Sequence, residues 1–189
     1  MMVLADETRA ASLRAVVTRL KMEGEPSHYP HAPLGQSLAL MRAENIQPHF
    51  YRYLYDRVGR DWHWTAALRL EDSELEKRLQ DPANEVQVLY LDGAPAGFFE
   101  LREEGDACRL VHFGLMTHAM GRGLASWFLG CAIRAAWSRS KSQITVETCT
   151  LDHPAALPLY QRAGFTPVER REEELVPLTA DERKNIVCR

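Results

Sequence analysis

The sequence predicts an α/β domain built on one mixed, mostly antiparallel sheet with flanking helices. Three observations carry that prediction. Between Glu85 and Met116, short β-branched and apolar runs alternate with turn residues, as in an antiparallel meander. Beyond the glycines at 121 and 123 the pattern changes to strand, helix, strand, helix, which makes two consecutive strands parallel with a helical crossover. At 189 residues, 46% hydrophobic and 26% charged, the chain has the length and composition of one ordinary soluble domain.

In chain order, Leu13, Val16, Val17 and Leu20 fall at the i, i+3, i+4, i+7 spacing of a first helix that Asp6 could cap. Three prolines and two glycines between Gly24 and Gly35 forbid regular structure and suggest a linker or an ordered arm. Residues 1–35 are therefore expected to form a helix and arm ahead of a main domain over 36–189. Ser37 to Arg42 reads as a short strand. Phe50, Tyr51, Leu54, Tyr55 and Val58 give the segment from Gln47 a helical period, and Glu71 to Leu79 makes a surface helix that stops before Asp81-Pro82. Glu85 to Leu91 and Ala96 to Arg102 form a hairpin around Asp92-Gly-Ala-Pro95, followed by a third strand from Cys108 to Met116. Leu124 to Ser138 is an apolar helix, Gln143 to Thr150 a buried strand, and Pro154 to Ala163 a second helix that Gly164 can terminate. Phe165 to Glu174 supplies closing strands.

The bulk numbers also exclude some functions. A net charge of -3 gives no global attraction to nucleic acid or to an anionic membrane. Cysteines 108, 131, 149 and 188 stand alone without a CxxC pair, as expected of reduced thiols in the cytoplasm. Asp6, Glu7 and Arg9 interrupt any leader-like apolar run, and the apolar stretch from Leu124 to Trp137 is too short to span a bilayer. His28 and His31 offer two metal ligands, but no third at a recognisable spacing, so no metal is expected.

A strand ending at Met116, a tight loop with Gly121 and Gly123, and a helix that starts at once present backbone N–H groups at a positive helix terminus. Such a place suits a pyrophosphate. Alone, a Gly-x-Gly reads as plain turn chemistry. No Gly-Lys-Ser/Thr follows it and a third glycine is missing, so it is neither a Walker loop nor a dinucleotide fingerprint.

Met120-Gly-Arg-Gly-Leu-Ala125 resembles the Arg/Gln-x-x-Gly-x-Gly/Ala loop of the GNAT superfamily of N-acetyltransferases. Downstream, His153, Ala156, Tyr160 and Gly164-Phe165 fall where that family carries Asn-x-x-Ala-x-x-x-Tyr and Gly-Phe. The likeness spans residues 85–170 well and 36–82 loosely, and does not reach the first 35. Met120 replaces the family's Arg or Gln, and His153 replaces its Asn.

The resemblance implies a GNAT-type sheet with a splayed parallel strand pair, acetyl-CoA as co-substrate, and direct transfer to a primary amine in a ternary complex. The pyrophosphate would lie on the main chain of Met120, Gly121, Arg122, Gly123, Leu124 and Ala125, with His153 near the pantetheine arm or phosphate. The arm would enter where the strands holding Leu115 and Thr150 part, with the amide of Leu115 or Met116 polarising the thioester carbonyl. Tyr160 would protonate the leaving sulfur. Glu100, among large apolar neighbours, would act through water as a base of raised pKa, with Glu147 and His112 as alternatives. Trp62-His63-Trp64 could wall the acceptor site. The acceptor is a small-molecule or peptide amine, and a homodimer is the family's habit. A non-catalytic acyl-CoA-binding or regulatory module that kept the loop is the competing reading.

Overall fold

A computed structural model of the chain describes residues 11–140 and 142–187. Seven strands, β1 (Leu13–Met22), β2 (Leu38–Arg42), β3 (Asn84–Leu91), β4 (Ala94–Glu104), β5 (Ala107–Leu115), β6 (Gln143–Cys149) and β7 (Thr166–Leu175), form one sheet in the order β2-β3-β4-β5-β6-β1-β7. Every neighbouring pair is antiparallel except β5 and β6. The expected mixed sheet with one parallel pair is therefore present.

Successive side chains of a strand face opposite sides of the sheet, and here both sides are covered. Phe99, Leu101 and Leu115 point into one core with α3 (Leu124–Trp137) and α4 (Ala156–Arg162). Their neighbours Phe98 and Met116 point into the other, beneath α1 (Pro48–Gly59) and α2 (Asp72–Leu79). The β3–β4 turn carries Asp92 at φ 53° and Gly93 at φ 84°, the two left-handed residues that a type I′ hairpin needs.

The N-terminal expectation fails. Residues 13–22, read as a helix, are the strand β1, seated between β6 and β7. Helical spacing of the leucines and valines was a weaker signal than the β-branched run Val16-Val17-Thr18, and the partners that select the strand lie more than 120 residues away. Residues before 36 thus contribute an interior strand to the same sheet as the rest of the chain. The Asp6 cap lies outside the described residues.

The Pro/Gly-rich segment crosses α3: Pro30 and Tyr29 sit over Gly130, and the Arg134 guanidinium lies 4.4 Å from the Tyr29 ring centre. Gln36 Nε2 then donates to the Arg122 carbonyl (3.0 Å), tying this segment to the glycine loop. One further helix, α5 (Ala180–Val187), was not foreseen; Arg183 anchors it to the buried Asp56 of α1 at 2.5 Å.

Candidate active site

The site begins as a defect in the sheet. In the β4–β5 ladder Glu100 faces His112, but Leu101 faces Leu110, so Val111 is an extra residue. Such a bulge bends its strand. β5 pairs with β6 only from Ala107 to Leu110, and the parallel ladder stops where the bulge begins. Beyond that point the two strands part, and a cavity of about 490 Å³ opens between them.

The ladder also fixes which amides face this gap. Met116 N donates to Ala96 O at 2.8 Å, so its amide is consumed by β4 and cannot serve a ligand. Antiparallel pairs alternate between bonded and non-bonded, so Leu115 and Phe113 turn their amides to the unpaired side. Of the two amides expected at a carbonyl, that of Leu115 turns toward the gap and that of Met116 does not.

At the end of the gap Gly121 (φ 71°) and Gly123 (φ 75°) both occupy the left-handed region, which favours glycine. Gly123 is the N-cap of α3, and no side chain caps the helix. The first-turn amides therefore stay available to an anion, with the positive end of the helix dipole behind them. Met120, Gly121, Gly123, Leu124 and Ala125 line the cavity. This cradle fits a pyrophosphate through main-chain groups, without the side chain that Met120 replaces.

Tyr160 closes the cavity from α4. It is buried, 6.3 Å from the Phe113 ring and 6.0 Å from the Phe165 ring, centre to centre. Burial, and then the charge of Asp152, push its hydroxyl well above the usual tyrosine range, so it keeps its proton. His153 accepts the Ala155 amide on Nδ1 (3.0 Å) and stacks edge-on with Trp62 at 5.0 Å. Since Nδ1 accepts, Nε2 carries the hydrogen in the neutral ring, leaving it a donor.

Glu100 does not have the raised pKa expected of it. Its side chain is fully buried, and burial alone would raise the pKa. Three partners reverse that: His112 Nδ1 at 2.7 Å, Arg78 Nη2 at 2.7 Å and Tyr51 Oη at 2.5 Å hold it at about 2. It is a sealed anion without the free lone pair of a base. Glu147 lines the cavity but is held low by Arg171 (2.9 Å), with Arg109 beside it at 2.9 Å. Of the three candidate bases only His112 reaches the cavity without a cationic partner on its exposed side.

Trp62 and Trp64 both wall the cavity, while His63, left-handed at φ 57° between them, does not line it. Sequence reasoning missed Asp152, which collects Thr148 Oγ1 (2.7 Å), the Cys149 amide (2.8 Å) and Trp64 Nε1 (3.3 Å), and it missed Arg78 and Tyr51 behind Glu100. No motif marks these residues. Among the described residues no cluster of three His, Cys, Asp or Glu could hold a metal ion, and no helix is long and apolar enough to cross a membrane.

The family model of the GNAT acetyltransferase domain matches residues 62–176, more than half of the chain. The chain belongs to the GNAT family. Solved GNAT-fold neighbours agree in architecture. A functionally unknown conserved protein from Staphylococcus epidermidis superposes with a TM-score of 0.62 at 13% identity, covering 89% of this chain and 64% of that one. A GCN5-related N-acetyltransferase from Kribbella flavida gives 0.58 at 16%, covering 89% and 61%. A tandem GNAT protein from the clavulanic acid biosynthesis pathway, without AcCoA, gives 0.58 at 14%, covering 90% and 56%. At these identities the likeness shows the fold alone, and the chain spans less than two thirds of each of these solved chains. No curated protein matches the sequence significantly. In this GNAT domain the bulge, the parted strands and the glycine loop all lie within the residues that the family model matches.

Proposed function

We propose that this GNAT domain transfers an acetyl group from acetyl-CoA directly to a primary amine in a ternary complex. The observation that carries this reading is the cleft itself: the gap between β5 and β6 runs from the uncapped start of α3 to the Tyr160 hydroxyl, with the Leu115 amide on its wall. The Met120 amide is spent on the Thr117 carbonyl (3.2 Å), so the main chain from Gly121 to Ala125 would hold the pyrophosphate, while Leu115 N–H polarises the carbonyl and Tyr160 gives its proton to the departing sulfur.

Direct transfer needs no covalent nucleophile, and the cysteines among the described residues are poor ones. Burial raises the thiols of Cys108, Cys131 and Cys149 above their ordinary range, which favours the inert thiol over the thiolate.

The acceptor end of the cavity is aromatic, with Tyr55, Trp62 and Trp64 on its wall. Its carboxylates Glu147 and Asp152 already have partners. Both features support a monoamine on an apolar body over a polycation, which would need unpaired acids to replace its hydration.

Thiol release tests the reading. Acetyl-CoA at a hundred times its dissociation constant should stabilise the fold by about 2.7 kcal/mol, and CoA should appear with apolar monoamines ahead of polyamines. No thermal shift with millimolar acetyl-CoA overturns the binding half. Binding without thiol release across a broad amine panel leaves a non-catalytic acyl-CoA-binding module.

A further inference from the structure

Glu100 and His112 face each other across β4 and β5, next to the bulge that opens the cleft. The carboxylate is sealed from solvent and accepts from Tyr51, from His112 and, through Nε at 3.1 Å and Nη2 at 2.7 Å, from Arg78. An ionised carboxylate can only accept, so its 2.7 Å contact requires the hydrogen of His112 on Nδ1. In the neutral ring the lone pair is then on Nε2.

Nε2 makes no hydrogen bond among the described residues, and it is not one of the buried polar atoms left sealed without a partner. His112 lines the cavity, and its ring is gripped by Tyr55 and Trp64 at 5.0 and 5.1 Å between centres, so it cannot turn Nδ1 outward without breaking this packing. The charged and titratable groups around it are Glu100 from β4, Arg78 from α2, and Tyr51 and Tyr55 from α1. Arg78 answers the carboxylate from the far side, so the imidazole is not its sole partner.

We propose that His112 is the catalytic base that takes a proton from the acceptor's ammonium through Nε2, and that Glu100 is the positioning residue that holds the ring in that tautomer and orientation. The assignment rests on the acetyl-transfer reading above. The ammonium gives one proton to Nε2, and the freed nitrogen lone pair forms the N–C bond to the carbonyl carbon. The C–S bond breaks with its electron pair on sulfur, Tyr160 protonates that sulfur, and the nitrogen's second proton returns to Tyr160. The proton on His112 passes to solvent, so an ammonium and a thioester become an amide, a thiol and one proton.

The test compares two acceptors that differ in whether they need a base. An alkylamine is an ammonium at pH 7, whereas an arylamine is already neutral. For the alkylamine, His112→Gln should lower kcat/KM about 100-fold at pH 7, with the rate climbing as pH approaches the amine's own range. For the arylamine the loss should be several-fold at most. Glu100→Gln offers its amide N–H to Nδ1 and favours the wrong tautomer, so its loss should also concentrate on the alkylamine. A purely structural role would not produce that acceptor dependence. Acetyl-CoA-induced thermal shifts of both variants verify that they fold and bind; if Glu100→Gln does not fold, His112→Gln and His112→Asn carry the comparison. Equal losses on both acceptors, or wild-type rates from the His112 variants, overturn the assignment. A wild-type protein that releases no thiol with any amine overturns the transfer reading and this one with it.

Discussion

The indole Nε1–H of Trp64 donates to the Asp152 carboxylate at 3.3 Å, joining the segment after α1 to the loop after β6 across 88 residues of sequence. The contact ties together two residues that line the cavity. Gly59 lets the Trp64 side chain approach the end of α1, because a Cβ there would stand 2.4 Å from the tryptophan Cβ. Trp64→Phe keeps an aromatic wall but frees the tie. Asp152 retains Thr148 and Cys149 as donors, so the stability loss should be only about 1 kcal/mol. The larger effect should be a several-fold rise in acceptor KM with acetyl-CoA affinity unchanged, measured by initial rates and calorimetry.

Tyr160→Phe isolates the proton delivered to sulfur. The ring keeps its packing against Phe113 and Phe165, so folding and acetyl-CoA binding should be retained. kcat should fall about 100-fold. Because burial holds the hydroxyl above the usual tyrosine range, wild-type rates should show no basic limb from Tyr160 below about pH 10. A pH profile of kcat checks both statements.

Much of this architecture could be read locally. The I′ turn at Asp92-Gly93, the strand-to-helix loop at Gly121 and Gly123, and the tyrosine of α4 are short-range signals whose residues do locally what their types favour. What could not be read depends on distant partners. β1 is a strand because β6 and β7 lie on either side of it, and its helical leucine spacing is incidental. Glu100 follows the same logic. Among Phe98, Phe99 and Leu101 it looks like an isolated acid of raised pKa, and only the fold brings Arg78, Tyr51 and His112 onto it. The pKa of Glu100 escapes a local reading because desolvation is visible in a sequence window and compensation is not.

Glu100 also predicts how the protein fails in acid. Its pKa is depressed to about 2 in the folded state, against about 4.5 without the fold. The folded state therefore binds the charged form more strongly, and the group contributes stability that is complete above about pH 4.5 and lost as pH falls toward 2. The shift corresponds to on the order of 3 kcal/mol. Thermal melts should lose Tm across that window, and the drop should be smaller in Glu100→Gln, whose side chain does not titrate.

The thiols give two tests, the first of them independent of catalysis. Cys108 is buried, and desolvation pushes it up to about 12, so it has almost no thiolate at pH 8. In a Cys188→Ser background, which removes a residue outside the described segments, a disulfide reagent should reach Cys108 only after denaturant is added. Cys149→Ala should keep its transfer rate within about two-fold, because no acyl group passes through that sulfur.

Gly123 separates binding from folding at the cradle. A Cβ there would meet only Pro33 Cγ at 3.9 Å, an ordinary contact, so crowding does not forbid alanine. The backbone does: φ 75° costs an L-residue roughly 1–2 kcal/mol, and relieving it means rotating the cap of α3. Gly123→Ala should therefore lose about that much stability in a denaturant titration. If the α3 amides hold the pyrophosphate, acetyl-CoA and free CoA should weaken together by tenfold or more, since both share the pyrophosphate. Acetyl-CoA weakening while CoA does not would move the pyrophosphate away from Gly123 and point instead to the thioester end of the cleft.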